Sequence, residues 1–284
     1  MDELAAKQVL LDIELITLIA LAMGLFFYWI FRRFKRGDLI EGSVPDDYDG
    51  FDLILMFFPA ILFLMNPIVE AVIAGNKTPE TPEKPVENGI GAVLVNIGYF
   101  AFVGIMTYGI IEWIRNRRVV DLFGLRRLSV PRILILSIFG GIVSLAVCAW
   151  GVGSFSNFFL EDIFGELDLQ EPVKMLQESD SVIHLGLSIL MACIAAPVVE
   201  EILFRGYMYG TIRRLTNPLF AAVIIGGLFA VVHGNLPALL PLWAFSILLC
   251  LAYELTGCLW VPVGMHVFFN AVNIVLMLLP ESVE

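Results

Sequence analysis

Glu200, Glu201 and Arg205 stand in the run AAPVVEEILFRGYMYG, residues 195–210, whose other members are almost all apolar or small. Ionisable groups in such a setting are expensive to bury, so they either pair or take part in chemistry. On a helix Glu201 and Arg205 are four positions apart and share a face, which suits an ion pair. Glu200 is turned about 140° away from Arg205 and needs a partner from another segment. The chain has three histidines, His184, His233 and His266. His233 closes GGLFAVVH, four residues after Phe229, and His266 opens HVFFN, with Asn270 four residues on and so on the same face. An unpaired carboxylate that meets two imidazoles and an amide can act as general base toward a water, while the other groups hold that water and a developing oxyanion. The competing use of the same set is a buried hydrogen-bond network that merely ties helices together. The convergence of independently spaced residues favours chemistry.

The elements needed to position these residues are antiparallel helices. Glu200 precedes Thr216 by 16 residues and His233 follows it by 17. At about 1.5 Å of rise per residue, a hairpin turning at Thr216-Asn217 brings the two to nearly the same height. His266 lies eight residues past Cys258, in the turn TGCLWVP, which has no Lys or Arg and so is able to lie deeper than a charged turn.

Those helices are expected to cross a membrane. Of the 284 residues 59% are hydrophobic and 16% charged, with a mean hydropathy of +0.87, well beyond the composition of soluble domains. A span needs roughly 20 mostly apolar residues, and eight candidates fit: about 11–31, 53–75, 90–113, 133–152, 184–204, 218–234, 239–256 and 260–279. The first is preceded by acidic residues and followed by a basic cluster, the pattern of an anchor and not of a cleaved leader. The expected fold is therefore all-α, a polytopic bundle of about eight transmembrane helices. It divides into residues 1–180, a four-span region with acidic outer loops, and 181–284, a four-span core that holds the candidate site.

Lys and Arg set the expected orientation. Arg32, Arg33, Lys35 and Arg36, then Arg115, Arg117, Arg118, Arg126, Arg127 and Arg132, then Arg205, Arg213 and Arg214 follow spans one, three and five. These 13 of the 17 basic residues fall on one side, which is read as cytoplasmic, in a bacterial or archaeal plasma membrane. The acidic stretch FFLEDIFGELDL, within 153–183, suits a helix lying along the membrane surface. The net charge of −11 reflects such acidic loops, and no basic, aromatic surface suited to nucleic acid is present. Glu14, Glu70 and Glu254 are isolated within apolar runs and are read as structural. Cys148, Cys193, Cys250 and Cys258, with no CxxC spacing, read as small core hydrophobes.

Taken together, EEILFR fits EExxxR, FAVVH fits FxxxH and HVFFN fits HxxxN, in that order. Over residues 180–275 the chain resembles the CPBP family of intramembrane proteases, which includes the CAAX prenyl endopeptidases of the Rce1 type and bacterial relatives linked to bacteriocin immunity. The resemblance implies Glu200 as the base, with His233, His266 and Asn270 binding water and oxyanion, and Glu201, Arg205 and Phe229 in support. It implies a membrane-embedded or membrane-associated peptide substrate, prenylated CAAX proteins among the options. Neither oligomeric state nor the role of the first four spans is implied.

No cofactor is favoured. Zinc held by Glu200, His233 and His266 is the rival, since a catalytic zinc takes three protein ligands and a water; Asn270 is an uncommon ligand and no HExxH helix supplies a compact pair. Two functions compete with proteolysis: a non-catalytic immunity or scaffold protein, and, ranked last because no internal repeat is visible, a transporter.

Overall fold

The computed structural model describes residues 44–65, 89–153 and 181–278, except Asp46 and Leu236. Over these residues the chain is helical, with no strand. We number its helices α1 (Gly50–Met65), α2 (Ile90–Ile114), α3 (Val119–Leu122), α4 (Val130–Cys148), α5 (Val182–Leu215), α6 (Pro218–Val232), α7 (Leu239–Thr256) and α8 (Trp260–Leu278). Five of them, α2, α4, α5, α7 and α8, are long and apolar enough to cross a membrane, while α1 and α6 are shorter apolar helices. The count of eight spans thus stands at five full-length helices and two short ones among the described residues. The span at 11–31, the surface helix near 153–183, and Glu14 and Glu70 lie outside them.

Local sequence explains the helix ends. Asp49 caps α1 in a reciprocal box with Asp52, satisfying backbone donors that have no partner within the helix. Asn217 accepts from the Phe220 N–H and Pro218 follows it, so α6 starts sharply after α5. Gly257 ends α7 at φ 58°, a conformation that costs glycine little. The turn it makes is buried: Cys258 and Leu259 are shielded, and the Leu259 N–H donates to the Phe123 carbonyl. TGCLWVP therefore does lie within the protein.

The helices carry their polarity inside out. On α4 the buried residues are Ser137, Gly141 and Ser144, while Leu134, Ile135, Ile138, Phe139 and Ile142 are exposed. In lipid, helices associate through close packing of small residues rather than by burying leucines. That small face seats α8. A β-carbon on Gly141 would stand 2.4 Å from the Phe268 ring, and one on Gly264 would stand 2.3 Å from Ser137 Oγ. The backbones of α4 and α8 approach closely as a result, and α8 carries His266.

The longest element departs from expectation. Residues 184–204 were to form a span with Arg205 in the turn beyond it. Instead α5 runs unbroken for 34 residues to Leu215, through Pro197, with π-helical turns at Met191–Ala195 and Ile202–Tyr209. Arg205 is consequently not a loop residue: it sits wholly buried inside the helix. Its charge is neutralised within the protein by Glu201, so it marks no membrane face. All four cysteines are buried and free, as small hydrophobes would be.

Candidate functional site

The site begins at the centre of α5. The half of the helix that ends at Glu201 packs against α8 and α2, and the π-helical stretch that follows packs against α6 and α7. Glu200 and Glu201 are both buried. Glu201 accepts from Arg205 Nη1 at 2.8 Å across one helical turn, as their spacing requires. Arg205 continues the chain to α7, where Nη2 donates to Ser246 Oγ at 2.5 Å and its carbonyl at 3.4 Å. The guanidinium also lies over the Phe229 ring, 4.5 Å from its centroid, a favourable placement for a desolvated cation.

His266 joins the two carboxylates. Its Nδ1 is 2.8 Å from Glu201 Oε1, and its Nε2 is 3.8 Å from Glu200 Oε2. A carboxylate only accepts, so Nδ1 carries a proton, and Nε2 is the ring nitrogen that faces Glu200. Phe245 and Phe229 pack edge-on against the imidazole at 5.3 and 5.7 Å. Glu200 thus finds the partner from another helix that its orientation demanded, and Glu201 serves two donors where the spacing suggested one.

The remaining candidates stand at the edge of this group. His233 caps the end of α6 and is exposed. Its Nδ1 donates to the Phe229 carbonyl at 2.6 Å, and its ring packs on Phe229 at 4.6 Å. Phe229 therefore lies between the two histidines and under Arg205, a position that explains its place in FAVVH. Asn270, one turn beyond His266, donates to the Ala192 carbonyl at 2.8 Å, within the first π-helical turn of α5. His184 is buried in the first turn of α5.

A catalytic zinc would need three converging protein ligands. Among the described residues no three His, Cys, Asp or Glu side chains are grouped to hold a metal ion. As arranged, Glu200, His233 and His266 do not fit a zinc site.

Two further ionic groups lie outside this cluster. Glu254, read as structural, takes Arg213 Nε at 2.7 Å and the Tyr209 hydroxyl at 2.7 Å. Asp52, buried at the start of α1, takes Arg115 Nε at 2.8 Å, Arg117 Nη1 at 3.0 Å and the Tyr207 hydroxyl at 3.3 Å, while Asp49 also meets Arg115. Sequence reasoning missed Asp52 and Ser246. An acidic residue at the edge of an apolar run, facing a basic loop, was the available signal for Asp52; a lone serine in LWAFSILLC carries none.

The comparisons with known proteins bear on the same stretch of chain. Residues 183–272 match the family model described as Type II CAAX prenyl endopeptidase Rce1-like. The Bacillus subtilis (strain 168) protein "Putative membrane peptidase YdiL" is 28% identical over 138 residues, covering 46% of this chain and 57% of its own length. No solved structure matches the chain. Residues 183–272, which hold all three motifs and the linked carboxylates, are thus the part of the chain that is similar to the Rce1-like endopeptidases.

Proposed function

We propose that the core formed by α5 to α8 is an intramembrane endopeptidase, in which Glu200 activates a water for attack on a peptide bond of a membrane-embedded or membrane-associated substrate. The observation that carries this reading is the pairing of Glu200 with His266 Nε2 across 3.8 Å, between buried side chains. That separation exceeds a direct hydrogen bond and suits two groups that share one water. Glu200 would take the proton as the water attacks, and the same proton would pass to the leaving amine. His233, exposed at the end of α6, offers the Nε2 lone pair to a proton of the attacking water, since its Nδ1–H is spent on the Phe229 carbonyl.

The arginine-bearing loops are proposed to be cytoplasmic, with the site opening toward that side. Prenylated proteins, which the family description names as a substrate class, are one option within membrane-associated peptides. The engagement of Asn270 with the Ala192 carbonyl favours a second reading, a non-catalytic network that braces α8 against α5. Comparative membrane proteomics of cells carrying the wild-type chain or Glu200→Gln separates the two. Substrates that accumulate only with Glu200→Gln are expected of a protease, and identical proteomes would favour the bracing network.

A further inference from the structure

Arg205 and Glu201, one helical turn apart, have the chemistry to form a two-toothed fork in which two guanidinium nitrogens meet the two carboxylate oxygens. They do not. Only Nη1 reaches Glu201, and it reaches Oε1, while Oε2 is buried without a hydrogen-bond partner. Nη2 is drawn aside to Ser246 on α7, whose Oγ accepts at 2.5 Å and whose carbonyl accepts at 3.4 Å. Ser246 is itself fully buried. Glu201 Oε1 therefore receives two donors, Arg205 Nη1 and His266 Nδ1, each at 2.8 Å.

We propose that Ser246 is a positioning residue: by holding Arg205 off the fork, it keeps Glu201 Oε1 turned to His266 and so fixes the imidazole in its Nδ1–H tautomer, with Nε2 facing Glu200. An imidazole free in water favours neither ring nitrogen strongly, and the acceptor at one of them selects the tautomer. Glu201 is that acceptor, and its orientation is set by where the guanidinium points. Without the Ser246 hydroxyl, Nη2 turns back toward the unpartnered Oε2, the fork closes, and the acceptor swings from the imidazole. The link runs across three helices, α7 to α5 to α8. The tautomer does not depend on proteolysis; its value to catalysis rests on the proposed endopeptidase reading.

The test is nitrogen NMR of the full chain in bilayers with ¹⁵N-labelled histidine, where the three imidazoles are assigned by single substitutions. In the wild type at neutral pH, His266 is expected to show a protonated Nδ1 and an unprotonated Nε2. Ser246→Ala is expected to shift protonation toward Nε2, and Ser246→Thr, which keeps the hydroxyl, to retain the wild-type pattern. Ser246→Cys, near-isosteric but a poor acceptor, should behave like Ser246→Ala and serves if that variant fails to insert. A wild-type His266 protonated on Nε2, or on both nitrogens, overturns the proposal. So does an unchanged His266 signal in both Ser246→Ala and Ser246→Cys. If the wild type shows the expected tautomer yet no proteolysis is ever found, the endopeptidase reading fails while this inference stands.

Discussion

Two ionic clusters occupy the described residues on either side of one helical stretch, and they are built to opposite specifications. Around Asp52, three aspartates face two arginines, and the Asp47 and Asp49 carboxylates reach water. Around Glu200, two adjacent carboxylates have one guanidinium between them, which pairs with Glu201; these three groups are buried, one oxygen of Glu201 has no hydrogen-bond partner, and Glu200 is met by His266 across 3.8 Å. The first cluster resembles a finished clasp. A group whose bonding capacity is spent has little left for a substrate, whereas an undersupplied carboxylate beside an imidazole holds capacity in reserve. The Glu254–Arg213–Tyr209 group follows the first pattern, which is why its intramembrane charge carries no catalytic proposal.

The sharpest way to break this contrast is to neutralise one carboxylate of each cluster. Glu200→Gln should lower proteolytic turnover by about 10²–10⁴-fold, the usual worth of a general base, with thermal stability near that of the wild type. Asp52→Asn should do the reverse, leaving turnover within a few-fold. If Glu200→Gln keeps most of its turnover in an assay with a substrate found by proteomics, the reserve is not used for catalysis.

Within the site, Glu201→Ala and Arg205→Ala should each cost about 3–5 kcal/mol, because each leaves a buried charge uncompensated. The double variant should lose less than the sum. Additive losses in a thermal-unfolding cycle would show that the 2.8 Å pair contributes no coupling. Asp52→Ala should cost less, about 1–3 kcal/mol, since Arg115 and Arg117 lie near water and can be resolvated.

The smallest effect is an acid one. Burial pushes the Asp49 carboxyl up, but donation from the Phe51 N–H, Arg115 and the Asp52 N–H outweighs it, and its pKa is held below the ordinary 3.8. A carboxylate depressed in the folded state adds stability that is fully present above that ordinary value and is lost as pH falls through the folded one. Unfolding midpoints measured from pH 5 to pH 2 should fall less steeply in Asp49→Asn than in the wild type. Parallel curves would remove Asp49 from the clasp.

How far the site was legible follows from the range of each contact. Glu201–Arg205 is a local pair, and four-residue spacing alone indicated it. Glu200 was marked by what it lacked, and its partner by scarcity, since only two histidines fell deep within spans. Ser246, 41 residues from Arg205 in the chain, and the His266–Glu201 bond, 65 residues apart, are set by how α7 and α8 lean on α5; no spacing rule reaches that far. Arg205 was misplaced because positive charge is the ordinary sign of a loop, and here its counter-ion, Glu201, stands one turn back in the same helix. The wide turns of α5 left no trace that composition or periodicity could register.

The π-helical stretch Ile202–Tyr209 acts as a phase shifter between the two clusters. Midway along it Arg205 points to Ser246, and two residues on Tyr207 points to Asp52 while the Gly206 carbonyl takes the Tyr48 hydroxyl. Each residue added to or removed from a helix rotates everything beyond it by about 100°. A one-residue deletion that let this stretch relax to an ordinary helix would leave both clusters chemically complete but angularly out of step. Length, rather than residue type, is what this segment has least freedom to change.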